Sequence, residues 1–265
     1  MKGIRAPMAD LDSRDAAPQR IVVALDAALH NHLTLEVAAA LAARKRLELV
    51  GLFIEDVNLL HLAALPFARE VDRSSALERT LDANQIRLSF RSQARQVNEA
   101  LNRVAQELRI ACSFEVRRGQ FLRSALAGAA AADVLFLSRR QRSDRRRRKQ
   151  GAALPVWVVY DGSPGAQRAL LMGGELREPG LRNLAVLLPA AGARELQQRA
   201  RGLLGATAGD VRFRVLPRFD ADPITQTVSL LGGSAVVLHR DSLEHSEETT
   251  QALLEALDCP LVVVH

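Results

Sequence analysis

The sequence is short of the residues that most readily carry chemistry. Its 265 positions hold two cysteines, one tryptophan and one tyrosine, and aromatic residues make up only 4% of the chain. Redox pairs and metal sites need partners at short spacing. Cys112 and Cys259 lie far apart, each in or beside an apolar run where cysteine serves as a small hydrophobe, so a reducing compartment is expected. Long apolar runs are also missing. Residues 59–67 are few and residues 122–137 carry charge, whereas a membrane span needs about 20 apolar residues in succession. The first positions include Asp10, Asp12, Arg14 and Asp15 and lack the apolar centre of a secretory signal, so residues 1–19 read as a flexible tail. A soluble, cytoplasmic protein is the expectation.

What is present is material for a core and a concentration of charge. Hydrophobic residues make up 48% of the chain, enough for one large domain or two small ones. The formal net charge is +6, and one segment accounts for it. Arg139, Arg140, Arg142, Arg145, Arg146, Arg147, Arg148 and Lys149 stand against the acid Asp144, which leaves the rest of the chain close to neutral. Such a run neutralises phosphates without regard to sequence. It holds no Phe, Tyr or Trp on which a base could stack, so a solvated linker is expected and nucleic acid is not the expected partner. Weak polyanion binding, or a grip on an acidic protein, stays open.

Positions 20–26, Arg-Ile-Val-Val-Ala-Leu-Asp, form an apolar run ending on an acid, the pattern of a strand covered on both faces of a parallel sheet. Leu35, Ala38, Ala39 and Ala42 then keep helical spacing, and 47–54 reads as a second strand. Pro66 disfavours helix at Leu65 and breaks the apolar segment 59–67. Packing under a loop is the plainer reading of that segment, and a contact between halves or protomers the sharper one. From Val71 onward, Leu77, Leu81, Leu88, Val97, Leu101, Val104 and Leu108 predict one long helix or two in line. A strand at 112–117, a small-residue helix at 121–131 and a strand at 133–137 complete the series.

The order then begins again. Val156-Trp157-Val158-Val159-Tyr160-Asp161 repeats the first strand and its terminal acid about 135 residues later, and Gly162-Ser163-Pro164 leads into a helix whose first turn suits proline. Strands at 184–188, 211–216, 235–238 and 261–264 alternate with helices at 193–204, 223–231 and 247–257. Alternation implies mainly parallel sheets with right-handed crossovers, and a period of this length implies a duplicated domain. The expected division is a tail (1–19), a first domain (20–137), an Arg-rich linker (138–155) and a second domain (156–265). The first domain has four strands and the second five. The first thus lacks a closing strand, and either the linker covers that edge or a strand crosses between halves or protomers.

The strand ending in Asp161 before Gly-Ser-Pro, the matching strand ending in Asp26, and the terminal Asp258-Cys259-Pro260-Leu261-Val262-Val263-Val264 together resemble the universal stress protein family over nearly the whole chain. The resemblance implies two tandem flavodoxin-like or Rossmann-like α/β domains, a homodimer or an internal pseudo-dimer, and a part in survival under stress. One branch of that family binds ATP through a loop after its fourth strand, with glycines at Gly-x2-Gly-x9-Gly-Ser/Thr spacing. Phosphates approach backbone N–H groups that closely only where no Cβ intervenes. The corresponding stretches, Ser138-Arg-Arg-Gln-Arg-Ser-Asp-Arg145 and His239-Arg-Asp-Ser-Leu-Glu-His-Ser246, contain no glycine. The resemblance is to the branch without this loop. No cofactor is expected, and ATP is disfavoured.

Asp26 and Asp161 end the first strands of their halves, where ligands meet open α/β sheets, and they match the acid that contacts adenosine in ATP-binding members. An aspartate there also caps the turn or helix that follows. His30 and His32, and His239 and His245 near Asp241, Ser242 and Glu244, are loop residue types without zinc-ligand spacing or a nucleophile motif, so they read as solvated loop histidines. The expectation is a non-catalytic binding or interaction module with a protein partner, any small ligand entering near Asp26 or Asp161. Two alternatives stay open: a nucleotide-binding regulator or weak ATPase using Asp26, Asp161 and the Arg-rich loop, and a polyanion binder acting through that loop.

Overall fold

The computed structural model describes residues 20–25, 32–65, 69–71, 78–80, 82–129, 134–138, 154–177, 184–205, 211–242 and 246–265. The first half runs β1 (Arg20–Leu25), α1 (His32–Lys45), β2 (Glu48–Asp56), α2 (Val57–Ala63), β3 (Arg69–Val71), β4 (Glu78–Thr80), α3 (Ala83–Leu108), β5 (Cys112–Gly119), α4 (Phe121–Gly128) and β6 (Val134–Leu137). The second runs β7 (Val156–Val159), α5 (Pro164–Leu176), β8 (Leu184–Pro189), α6 (Ala193–Leu204), β9 (Val211–Leu216), α7 (Ala221–Leu231), β10 (Ala235–His239), α8 (Ser246–Ala256) and β11 (Leu261–Val264). No helix among the described residues is long and apolar enough to cross a membrane.

Nine strands form one sheet in the order β5-β2-β1-β6-β11-β10-β7-β8-β9. The apolar runs follow from burial on both sides. In β1, Ile21, Val23 and Leu25 enter one core while Val22 and Ala24 enter the other, and in β7 Val156 and Val158 oppose Trp157 and Val159. The two-residue period of a strand sends neighbours to opposite faces, so both sets must be apolar. Helices α1, α3, α5 and α6 contribute to the first core, and α4, α7 and α8 to the second.

The closing strand missing from the first half is β11. It pairs in parallel with β10, and its other edge pairs antiparallel with β6, Leu261 opposite Leu137 and Val264 opposite Val134. One strand thus closes both halves, and the crossing is within the chain. Side chains tie the halves on each face of the sheet. Lys45 Nζ donates to Glu175 Oε1 at 2.5 Å and Arg44 to the Glu175 carbonyl at 2.7 Å between α1 and α5, while Arg123 Nε donates to Glu247 Oε1 at 2.7 Å between α4 and α8.

Two expectations need correction. Residues 69–71 and 78–80 are not helical but pair antiparallel, Arg69 opposite Thr80 and Val71 opposite Glu78. The helix begins at Ala83, where the Asp82 carboxylate accepts from the Asn84 N–H at 2.8 Å. Its buried stripe is Ile86, Phe90, Leu101 and Ala105, and Leu88 and Leu108 are exposed. The described part of the segment 59–67 does not join the halves: α2 ends at Ala63, and Leu60 and Ala63 pack within the first half against Ile86 and Phe90, while Pro66 and Phe67 lie outside the described residues. Leu59, Leu62 and Leu65 stay exposed.

Candidate functional site

In an open α/β sheet, connections leaving a pair of strands in opposite directions open a crevice at their carboxyl ends. In the second half that pair is β7 and β10, neighbours whose own helices lie on opposite faces. After β7 the chain passes through Tyr160 and Asp161 to Gly162, where φ is +87° and a Cβ would fall 2.4 Å from Leu196 Cδ2. The Asp161 carboxylate accepts from the Ser163 N–H at 2.8 Å, and the Ser163 hydroxyl accepts from the Ala166 N–H at 3.1 Å, capping α5. Asp161 is thus bound into the turn. Tyr160 is fully buried, and its hydroxyl has no hydrogen-bond partner among the described residues. Burial pushes its pKa up, partly offset by the Arg199 cation and reinforced by Asp161.

His239, the last residue of β10, faces this turn. Its ring fills the space that a Cβ on Gly165 would need, 2.2 Å from Nδ1 and 2.3 Å from Cε1. Nδ1 accepts from the Asp241 N–H at 3.2 Å, and Nε2 lies 3.1 Å from the Arg168 guanidinium. The residue is only 8% exposed. Burial lowers its pKa, Arg168 lowers it further, and the Asp241 and Asp161 carboxylates oppose them. The balance disfavours the imidazolium on the first turn of this helix. Register identifies its counterpart in the first half. Ala24, two residues before Asp26, lies opposite Leu137, and Val158, three before Asp161, lies opposite Val237, so Ser138 and His239 hold the same place.

A universal stress protein from Archaeoglobus fulgidus DSM 4304 superposes on this chain with a TM-score of 0.55, over 93% of this chain and 96% of that one, at 11% identity. The chain has the universal stress protein fold. Two more solved structures each align over 94% of it. One is a putative universal stress protein from Pseudomonas aeruginosa UCBPP-PA14, at 14% identity, TM-score 0.45 and 93% of that chain. The other is a functionally unknown protein from Pseudomonas aeruginosa PAO1, at 15%, 0.44 and 92%. No family model matches the sequence, and no curated protein matches it.

Within this universal stress protein fold the structure brings Asp161, Ser163, Gly165, Arg168, His239 and Asp241 together. Asp26 lies outside the described residues, as do Arg139, Arg140, Arg142, Arg145, Arg146, Arg147, Arg148 and Lys149, and so do His30, Glu244 and His245. The reading of His239 as a solvated loop histidine is corrected: it ends a strand and is buried. Gly165 and Arg168 were missed. Gly165 follows directly on Gly162-Ser163-Pro164 and is the one legible signal, since a glycine in a first helical turn suggests close approach of another group. Arg168 has no signal apart from lying one turn farther along α5.

A second opening lies at the seam between the halves, a cleft of about 560 Å³ between α4 and α8. Among the described residues, Asp56, Glu247, Glu248 and Glu255 line it against the guanidinium of Arg123. Its field therefore favours cations over anions.

Proposed function

We propose that this chain is a universal stress protein-like module that binds or docks rather than catalyses, of the kind without the family's ATP loop, acting in the cytoplasm in a stress response as an internal pseudo-dimer. The observation that carries the reading is the His239 ring against Gly165. A helix N-terminus attracts anions because its first N–H groups are unpaired and its dipole is positive there. At α5 Pro164 has no N–H, the Ala166 N–H is bonded to the Ser163 hydroxyl and the Gln167 N–H to the Ser163 carbonyl, while the buried His239 ring lies against Gly165 and the Asp161 side chain serves the turn. An incoming phosphate would have to displace these partners. The acidic cleft at the seam is no better suited to a polyphosphate. The shared strand β11 supports the pseudo-dimer, because pairing on both its edges leaves neither half open there.

The test is calorimetric titration with ATP at about 0.15 M salt, where a Debye length of roughly 8 Å weakens nonspecific attraction. No saturable binding is expected in the wild type. One-site binding that disappears in Asp161→Ala would overturn the reading in favour of a nucleotide-binding regulator. Binding that falls steeply with salt and vanishes when residues 139–149 are neutralised would indicate polyanion capture instead.

A further inference from the structure

We propose that His239 is a pH-operated latch that holds the segment after β10 against the first turn of α5. Three pieces of chain meet at its ring. Nδ1 accepts from Asp241 N–H at 3.2 Å and so ties residues 240–242 back to their own strand, Nε2 meets Arg168 at 3.1 Å, and the ring face covers Gly165. A neutral imidazole has one acceptor nitrogen and one N–H, whereas the protonated ring has two N–H groups. Both neighbours here are donors. The neutral ring therefore makes one hydrogen bond and tolerates one close approach between donors, and the protonated ring makes neither bond and opposes both.

The surrounding charges act in the same direction on balance. Against the imidazolium stand burial, the Arg168 cation and the positive end of α5. In its favour stand the Asp241 carboxylate of its own segment and Asp161 beyond β7, both outweighed. On the remaining side, β11 presents Val264 opposite His239. Because the folded-state pKa lies below the ordinary value of about 6.5, the released ring takes up a proton more readily than the latched one. The latch is complete above about pH 6.5 and weakens as the pH falls from there through the lowered folded-state value. Release uncovers Gly165 in the first turn of α5. The first half has no such response at the matching position, since Ser138 does not titrate.

The experiment needs no ligand. Imidazole resonances and amide hydrogen exchange are followed from about pH 7.5 to about pH 5, across the range where histidine titrates. His239 is expected to titrate below about 6.5, and protection at the Ala166 and Asp241 amides to fall roughly tenfold for each pH unit between about 6.5 and its midpoint and to level off below it, while amides of β6 and β11 hold. His239→Asn, whose amide oxygen accepts from the Asp241 N–H without titrating, is expected to keep protection flat over this range. Arg168→Met, which removes the adjacent cation, is expected to move the midpoint upward. The proposal is overturned if His239 titrates at or above about 6.5, or if wild-type protection at these amides is indifferent to its titration. An equal loss of protection in His239→Asn would overturn it as well.

Discussion

In the first half the strand order β5-β2-β1-β6 stops at four, and in the second β9-β8-β7-β10-β11 runs to five. The halves follow one plan, and the difference shows that a repeated domain need not repeat its closing element when a neighbour can lend one. Because β11 is hydrogen-bonded on both edges, it is an interior strand and not a boundary between units. The halves differ again beyond their second strands. The first inserts α2, the β3–β4 pair and the 26-residue α3, building a small core of Phe53, Ala63, Ile86 and Phe90, whereas among the described residues the second passes from β8 to β9 through α6. At the strand ends, the first places Ser138 where the second places His239.

The largest effect is expected from breaking the shared closure. Val262 is fully buried between Phe136 of one half and Val237 of the other. A carboxylate there has no partner and costs several kcal/mol, comparable to the whole stability of a typical domain at about 5–15 kcal/mol. In Val262→Asp the cooperative thermal transition should be lost in both halves together, as followed by circular dichroism. Persistent amide protection in β1 and β2 of that variant would show that the first half does not depend on β11.

Gly165→Ala comes next, since the added Cβ meets the His239 ring at 2.2 Å. Overpacking of this kind costs about 1–3 kcal/mol, measurable by urea unfolding, and expulsion of the ring should return the His239 titration toward about 6.5. An unaltered midpoint in both measurements would contradict the packing that distinguishes the second half. Trp157 sharpens the comparison on the other face of the sheet, because it occupies the place of Val22 and its indole N–H donates to the Gly232 carbonyl at 2.8 Å. Trp157→Phe should lose about 1 kcal/mol in the same assay, most of it from the unpaired carbonyl. The smallest effect belongs to the half-exposed Lys45–Glu175 pair at the seam. Lys45→Met should change stability by less than about 1 kcal/mol, and a larger loss would make side-chain pairs, rather than β11, the main tie between the halves.

Much of the fold was legible because its signals are local. β1, β7 and β11 are covered on both faces and so read as unbroken apolar runs, and Ser163 and Pro164 mark the start of α5 through capping and a fixed φ. The misreadings also have physical causes. Leu77 and Leu81 continue the helical spacing backwards from α3, but Asp82 caps the helix after them, and Leu88 lies off the stripe set by Ile86 and Phe90. At the candidate site, Asp161 was legible as a strand-end acid, and its capping role was one of the two readings the residue allowed. His239 was not legible as buried, because a polar residue at a strand end is ordinarily solvated, and what covers it comes from α5, with Arg168 71 residues away in the chain.

By itself the sequence determined the alternation of strands and helices, their doubling, and the absence of glycine after β6 and β10, since each is a matter of residue type at short range. The tertiary structure alone decided that β11 lies between the halves. Four consecutive apolar residues specify a strand buried on both faces but carry no information about which edges it will join, and that choice belongs to the pairing of Leu137 with Leu261 across more than a hundred residues of intervening chain. It alone also decided that the imidazolium of His239 is disfavoured, because burial, the Arg168 cation and the α5 terminus act on the imidazole only once three distant segments are packed together.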